Sequence, residues 1–177
     1  MAFWSTPNLD PKRQFKFKVT FGPAGGITVP WYMAQSADRP VYTITDGTKI
    51  DILDKEFRFP GKISWAPIKI KFVDGATAGH NTAKNAYEYL SKAGYINPAG
   101  VDAGGNGGLG TIAKATAVIP QLTVETLNSE GVTIDTWKLN NAWVTTVALN
   151  GFDYAAEGIL TAEFSFRYDW ADLTATT

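Results

Sequence analysis

Residues 160–168 read Leu-Thr-Ala-Glu-Phe-Ser-Phe-Arg-Tyr, and this stretch decides the fold class. Apolar residues occupy every second position from Leu160 to Tyr168, and polar residues fill the positions between them. Because successive side chains of a strand point to opposite faces of a sheet, this alternation predicts a β-strand with one buried face. Similar segments lie at residues 15–21, 41–45, 49–52, 68–72, 122–126, 134–139 and 143–149, and a further strand is expected near 27–34.

Turn-forming residues separate these segments. Asp46-Gly47 is a strong hairpin dipeptide and predicts a tight turn between the segments at 41–45 and 49–52. Many short strands with regular turn signals predict a mainly β fold. We expect an antiparallel sandwich or barrel of about seven to eight strands.

One segment has the period of a helix. Between residues 82 and 93 the apolar side chains recur at three- and four-residue steps, while Lys84, Glu88 and Lys92 line the opposite face. Asn81 can cap the start of this segment, and Gly94 stands where a C-terminal cap belongs. The pattern predicts one short amphipathic helix packed on the sheets.

The composition excludes several kinds of site. The chain has 177 residues, no Cys, one His and a formal net charge of −1, so thiolate chemistry and multi-histidine metal sites are excluded. The near-neutral charge argues against a strongly basic nucleic-acid binder. Asp51, Asp54 and Glu56 lack calcium-loop spacing and alternate with basic residues, which indicates a solvated charged loop. We therefore expect no enzyme activity, no metal and no cofactor.

The chain carries no obvious membrane or export signal. No stretch approaches the roughly 18 uninterrupted apolar residues of a membrane-spanning helix. The first residues also lack the basic and apolar regions of a signal peptide. We expect a protein that is cytoplasmic where it is made and has no membrane partner.

A single domain over residues 1–177 is expected, with two irregular parts. Residues 1–14 form an N-terminal arm. The apolar ring of Trp4 can be buried only if this arm docks on another surface. Residues 94–116 form a Gly-rich loop, because the strand pattern resumes after them. The formal charge is +4 over residues 1–75 and −5 over residues 76–177, and such opposition favours head-to-tail contacts between copies.

Three blocks of the sequence resemble tail tube proteins of T4-like, contractile-tailed bacteriophages. The first runs from Val41 to Asp74, where Phe59-Pro-Gly leads into Ser64-Trp-Ala-Pro-Ile-Lys-Ile-Lys-Phe-Val-Asp. The second, residues 139–154, is similar to the family's aromatic, short polar turn and strand, although Val144 replaces the usual Pro. The third, residues 159–170, resembles the closing strand. The loop at 94–116 is longer and richer in Gly than usual, so the subgroup stays open.

This resemblance implies a structural virion protein with a tail-tube-like fold. Tail tube subunits form six-fold rings that stack head to tail into a hollow tube inside a contractile sheath. The implied partners are further copies of the chain, the tail sheath, baseplate and tail-terminator proteins, and double-stranded DNA that crosses the lumen without specific binding. The implied location is the virion tail, assembled in the host cytoplasm, with the tube conducting the genome into the host cell.

Candidate residues follow from such a tube. Phosphates bind mainly to Lys and Arg, so a polar or acidic lining lets DNA slide. With strands around residues 27–52 and 120–147 expected to line the channel, the lumen candidates are Asp46, Asp51, Glu125 and Asp135. The hairpin at 41–62 and the N-terminal arm are expected to make the stacking contacts, through Trp4, Lys55, Glu56 and Arg58.

Two alternatives stay open at this point. The first is a related tail protein, either a tube-initiating baseplate subunit or the tube of a contractile injection system. The second is a carbohydrate-binding β-sandwich that uses exposed Trp side chains as sugar platforms. That reading requires planar aromatic side chains on one solvent-exposed face and a protein that stays monomeric.

Overall fold

The computed structural model describes residues 11–22, 27, 29–77, 79–95, 112–155 and 157–175. Within them, ten strands numbered β1 to β10 in chain order form two four-stranded antiparallel sheets and one separate hairpin. The first sheet contains, in spatial order, β1 (Phe17–Phe21), β6 (Leu122–Leu127), β7 (Thr133–Asn140) and β10 (Trp170–Ala175). The second contains β2 (Ala34–Ala37), β5 (Ile68–Val73), β9 (Thr161–Arg167) and β8 (Trp143–Leu149).

The two sheets enclose one apolar core. The alternating segment that begins at Leu160 supplies the buried residues Ala162, Phe164 and Phe166 of β9. The ring of Phe21 on β1 joins the sheets, because its centroid lies 5.7 Å from that of Phe72 and 5.9 Å from that of Phe166. The predicted mainly β sandwich is therefore confirmed, with ten strands in the described residues rather than about seven to eight.

The predicted helix is α1 (Thr82–Lys92). The side chain of Asn81 caps it by accepting a hydrogen bond from the Lys84 amide at 2.6 Å, and Gly94 follows it with φ of 108°. Tyr89 fixes the helix to the second sheet. Its hydroxyl donates to the carbonyl of Ala117 at 2.7 Å and accepts from the amide of Val144 at 3.1 Å.

The third sheet is the hairpin of β3 (Tyr42–Ile52) and β4 (Lys55–Trp65), which pair only with each other. The predicted turn at Asp46-Gly47 is wrong, because β3 runs through it and the chain reverses at Leu53-Asp54. Register shifts on either side of Asp46 absorb the irregular backbone as β-bulges instead.

Two further expectations need correction. The strand expected near residues 27–34 is a short 3-10 helix, Trp31–Met33, followed by β2. Pro30 precedes that helix and has no amide hydrogen for a strand ladder, although Ile27 and Val29 are buried. Two elements were not predicted from the sequence. They are β10 and the one-turn helix α2 (Lys114–Ala117), which lies at the end of the predicted Gly-rich loop.

Candidate assembly surface

The hairpin of β3 and β4 is the most conspicuous unpartnered element. Each strand has 11 residues, and every position except Trp65 is exposed. At about 3.3 Å per residue, such a hairpin reaches about 33 Å from its base to its tip. A two-stranded hairpin is at best marginally stable alone in water, so packing against a further surface would stabilise it.

The outer half of this hairpin has two chemically different faces. Ile50 pairs with Phe57, and Ile52 shares their face. These three apolar side chains are about half exposed. The opposite face carries the pairs Lys49 with Arg58 and Asp51 with Glu56. The alternation of a strand thus separates one apolar surface from one charged surface.

The charged face is a connected set of ion pairs. The ammonium of Lys49 lies 2.9 Å from Glu56 and 3.4 Å from Asp51, while the Arg58 guanidinium lies 3.2 Å from Asp46 and also bonds Glu56. The hydrogen bonds from Lys49 and then Arg58 hold the pKa of Glu56 below its ordinary value. The structure therefore brings together Asp46 and Asp51, predicted for the lumen, with Glu56 and Arg58, predicted for stacking.

Lys55 and the tip of the hairpin complete this element. Lys55 stands next to the turn and pairs with Ile52 in the strand register. Leu53, in the turn, is 97% exposed and has φ of 54°. A leucine rarely adopts this left-handed backbone conformation, and nothing within the described residues shields its side chain. Leu53 carries no turn signal in the sequence, because Asp46-Gly47 is the stronger local turn dipeptide and predicts the turn there.

The other two lumen candidates lie in the first sheet, on opposite faces. Glu125 is half-buried, accepts a hydrogen bond from the Thr133 hydroxyl at 3.0 Å and lies 3.9 Å from the Lys18 ammonium. Asp135 pairs with Thr126, the neighbour of Glu125, so its side chain points the other way. It is only 5% exposed and forms an ion pair with Lys12. One face of this sheet therefore cannot present both carboxylates.

Some predicted features lie outside the described residues. Trp4 and residues 1–10 of the arm belong to that part of the chain, as do residues 96–111 of the Gly-rich loop.

Within the described residues, each sheet ends in two strands that have a strand neighbour on one side only, and a cleft lies next to two of these edges. β1 and β10 are the edge strands of the first sheet, and β2 and β8 are those of the second. Between β1 and β2 lies a cleft of about 940 Å³. Apolar side chains including Phe17, Val41 and Val124 line it, and so do the basic side chains Lys12, Arg13, Lys16 and Arg39. Unpaired strand edges accept further strands, so this region can bind another chain.

The aromatic side chains do not favour a sugar platform. Trp65, Trp137 and Trp143 pack against the core. Trp31 and Trp170 are about half exposed, but they belong to the 3-10 helix and to β10, respectively. A carbohydrate platform needs planar aromatic side chains arrayed on one open face.

Comparison with solved structures identifies the architecture. The chain matches the cap of the anti-feeding prophage (the AFP tube terminating cap) with a TM-score of 0.66 and 16% identity, over 99% of this chain and 100% of that one. It matches a chain of the PVC sheath-tube complex, from an extracellular contractile injection system in the extended state, with a TM-score of 0.64 and 16% identity over 99% of each chain. The protein has a contractile tail-tube fold.

Two other comparisons set the limits of this similarity. The PVC sheath/tube terminator matches with a TM-score of 0.64 and 17% identity, over 95% of this chain and 99% of that one. No protein-family model and no curated protein sequence matches the chain. The likeness is thus one of fold, spread over the whole chain, with tube, cap and terminator components all represented.

The described residues contain neither a membrane-spanning helix nor a metal-binding cluster. No helix there is both long enough and apolar enough to cross a membrane. The described part of the chain also brings no three His, Cys, Asp or Glu side chains together in a way that could hold a metal ion, and this includes Asp51, Asp54 and Glu56.

Proposed function

We propose that this chain is the structural subunit of the inner tube of a contractile tail, assembled as six-fold rings that stack head to tail. The observation that carries the proposal is the hairpin of β3 and β4, whose apolar face has no cover within the described residues. Burying that face against neighbouring copies would stabilise the hairpin and link the copies. The tail-tube fold supports the same conclusion.

The ring would form through the open sheet edges. One four-stranded sheet contributed by each of six copies would give a barrel of roughly 24 strands, because paired edges close a sheet on itself. At about 4.8 Å between strands and a tilt near 40°, such a barrel is about 45–50 Å across at its backbone. A barrel of that width encloses an open channel instead of a packed core.

We propose that the lumen is polar to acidic, with Asp46, Asp51 and Glu125 among its lining residues. Asp135 is not proposed as a lining residue, because it points to the opposite face of the sheet from Glu125 and is paired with Lys12. A phage tube conducts double-stranded DNA, and carboxylates along the wall would keep phosphates from adhering. The same wall would serve another cargo if the tube belongs to an injection machine.

The partners of such a subunit are further copies of itself, a sheath protein, and baseplate and terminator proteins. The solved structures that share its fold include a sheath-tube complex and a sheath/tube terminator. We place the protein in the assembled tail, with assembly in the host cytoplasm, and propose no enzymatic role.

A second candidate function is that of a component found at one end of the tube. The fold also matches the AFP cap and, with a TM-score of 0.56 and 8% identity, a chain of the AFP baseplate over 94% of this chain. Copy number separates the two functions. A tube subunit is present in many rings per particle, whereas a cap or a tube initiator is present in few.

Electron microscopy of the purified full-length protein tests the proposal. We expect rings or tubes in negative stain at high concentration, and cryo-EM of the tube is expected to place Asp46, Asp51 and Glu125 on the inner wall. A protein that stays monomeric at every concentration would contradict the tube function. If tubes form with these carboxylates on the outer wall, the lumen assignment is wrong and the assembly proposal stands.

A further inference from the structure

Two surfaces of this chain, the tip of the hairpin and the cleft between β1 and β2, have complementary chemistry. The tip consists of Leu53, which is almost fully exposed, and Asp54, the one charged residue of the two-residue turn. The cleft between β1 and β2 has an apolar lining beside four basic side chains and one acidic side chain, Asp38. An exposed apolar side chain next to a carboxylate is complementary to an apolar surface on which basic side chains outnumber acidic ones.

Individual charges match in the same way. Asp54 makes no hydrogen bond or ion pair within the described residues, although the carboxylates Asp46, Asp51 and Glu56 of the same hairpin are all paired. Arg39 in the cleft lining likewise has no such partner in that part of the chain. Asp54 and Arg39 are therefore exposed charges of opposite sign on the two surfaces, and each has a neighbour of the other sign, Lys55 and Asp38 respectively.

The backbone of Leu53 adds an independent argument. A left-handed conformation is ordinarily adopted by Gly or Asn. Leu53 departs from this preference, and its side chain is almost fully exposed at the tip. A side chain kept at such a position is explained when it is buried in a partner.

The two surfaces cannot meet within one molecule. Val41, Ala66 and Pro67 line the cleft, and they flank the base of the hairpin. The tip lies about 33 Å away from this base along an extended two-stranded ribbon. A contact between the tip of one copy and the base of another is heterologous, and it propagates as an open polymer.

We propose that the tip of each hairpin inserts Leu53 into the cleft between β1 and β2 of the next copy, with Asp54 paired to Arg39. The occupant of the cleft is thus a second copy of this chain. The inference rests on the proposed tube function and specifies the contact that stacks one ring on the next. It also predicts an axial repeat on the order of the hairpin length, about 33 Å.

Charge exchange tests the contact in the full-length protein. Asp54→Lys and Arg39→Glu should each lower the pelleted polymer about tenfold or more, because each places like charges together. The double variant should recover most of that loss, because every contact again pairs opposite charges. The control Glu130→Lys reverses an exposed charge of the turn after β6 and should leave assembly unchanged. Single variants that assemble normally, or a double variant as defective as its parents, overturn the inference.

Cysteine cross-linking provides a second measurement, because the chain has no Cys. Mixing Leu53→Cys copies with Ala66→Cys copies under oxidising conditions should give disulfide-linked pairs of chains, whereas Leu53→Cys mixed with Leu149→Cys should not. Tubes that form without the expected link overturn this inference alone. Wild-type protein that does not polymerise, together with cysteine variants that do not cross-link, overturns the inference and the proposed function together.

Discussion

Gly47 and Gly61 face each other across β3 and β4, so closely that a Cβ built on Gly61 would lie 3.1 Å from the Cα of Gly47. A Cβ on Gly47 would in turn lie 2.7 Å from the carbonyl oxygen of Phe59. Apart from the Thr45 hydroxyl near Gly61, the atoms in the way belong to the backbone and cannot rotate aside. Both glycines lie at the register shifts of the hairpin, so they allow the two bulges that keep β3 and β4 paired along their full length.

Gly61→Ala is therefore expected to distort the hairpin while leaving the sandwich folded. The hairpin forms a sheet of its own, so unfolding of the core should change little, whereas tube formation should fall severely. Circular dichroism melting and pelleting of polymer measure the two effects. Gly151→Ala is the matched control, because nothing lies within 4 Å of its added Cβ. Normal tubes from the Gly61 variant would argue against the hairpin as an assembly element.

Phe164→Ala should lower the free energy of unfolding by about 3–5 kcal/mol, the usual cost of removing a buried aromatic ring. Phe164 is fully buried, stacks on Phe166 with centroids 6.1 Å apart and contacts Phe72 at 5.7 Å. Urea denaturation of dilute protein measures the change. Phe152→Ala removes a ring that is 91% exposed and should cost less than about 0.5 kcal/mol. Equal losses for both variants would contradict the assignment of the core.

Tyr89→Phe should cost about 1–3 kcal/mol, because it strands the Ala117 carbonyl and the Val144 amide without their shared partner. The hydroxyl links α1 to α2 and to β8, so hydrogen exchange should speed up at Val144 in particular. Tyr87→Phe on the same helix is the control, since Tyr87 is exposed. Equal stability of wild type and Tyr89→Phe would show that the bridge contributes nothing.

Asp169 should make stability depend on pH. Hydrogen bonds from Lys114, and then Asn141, hold its pKa below the ordinary aspartate value of 3.8. A carboxyl whose pKa is lower in the folded state stabilises the fold above its ordinary pKa. That contribution fades as pH falls through the lowered value, because the unfolded chain then takes up the proton first. Wild type should thus exceed Asp169→Asn in stability at neutral pH.

Chemical denaturation over a pH series checks this expectation. The gap between the two proteins should shrink as pH is taken below 3.8. Lys138→Gln is a suitable charge-removal control, since Lys138 is exposed and has no ion pair among the described residues. A stability difference between wild type and Asp169→Asn that stays constant from neutral to acid pH would show that the ion pair with Lys114 does not cause it.

Deletion of residues 1–10 should impair polymerisation and leave the fold intact. The physical reason is Trp4, a large apolar side chain in an arm that the sequence separates from the strand pattern. Sedimentation of tubes and thermal melting of the monomer give the two readouts. Trp4→Ala in the full chain should reproduce most of the assembly defect. An unchanged tube yield from both variants would leave the arm without a stacking role.

The sequence alone determined the sandwich, because alternation along a strand reports directly which side chains are buried. Leu160 to Tyr168 predicted a buried face, and α1 appeared with its Asn81 cap and its Gly94 terminus. These features depend on residues close together in the chain. Local spacing and local backbone preference are sufficient to specify them.

The position of the hairpin turn and the residues that the hairpin exposes depend on strand pairing, which the local sequence does not specify. Asp46-Gly47 has strong local turn chemistry, yet pairing of two 11-residue strands moved the turn to Leu53-Asp54 and used Gly47 and Gly61 for bulges. The same pairing collected Asp46, Asp51, Glu56 and Arg58 on one face. Such groupings depend on register between distant strands, and the sum of many cross-strand contacts outweighs one local preference.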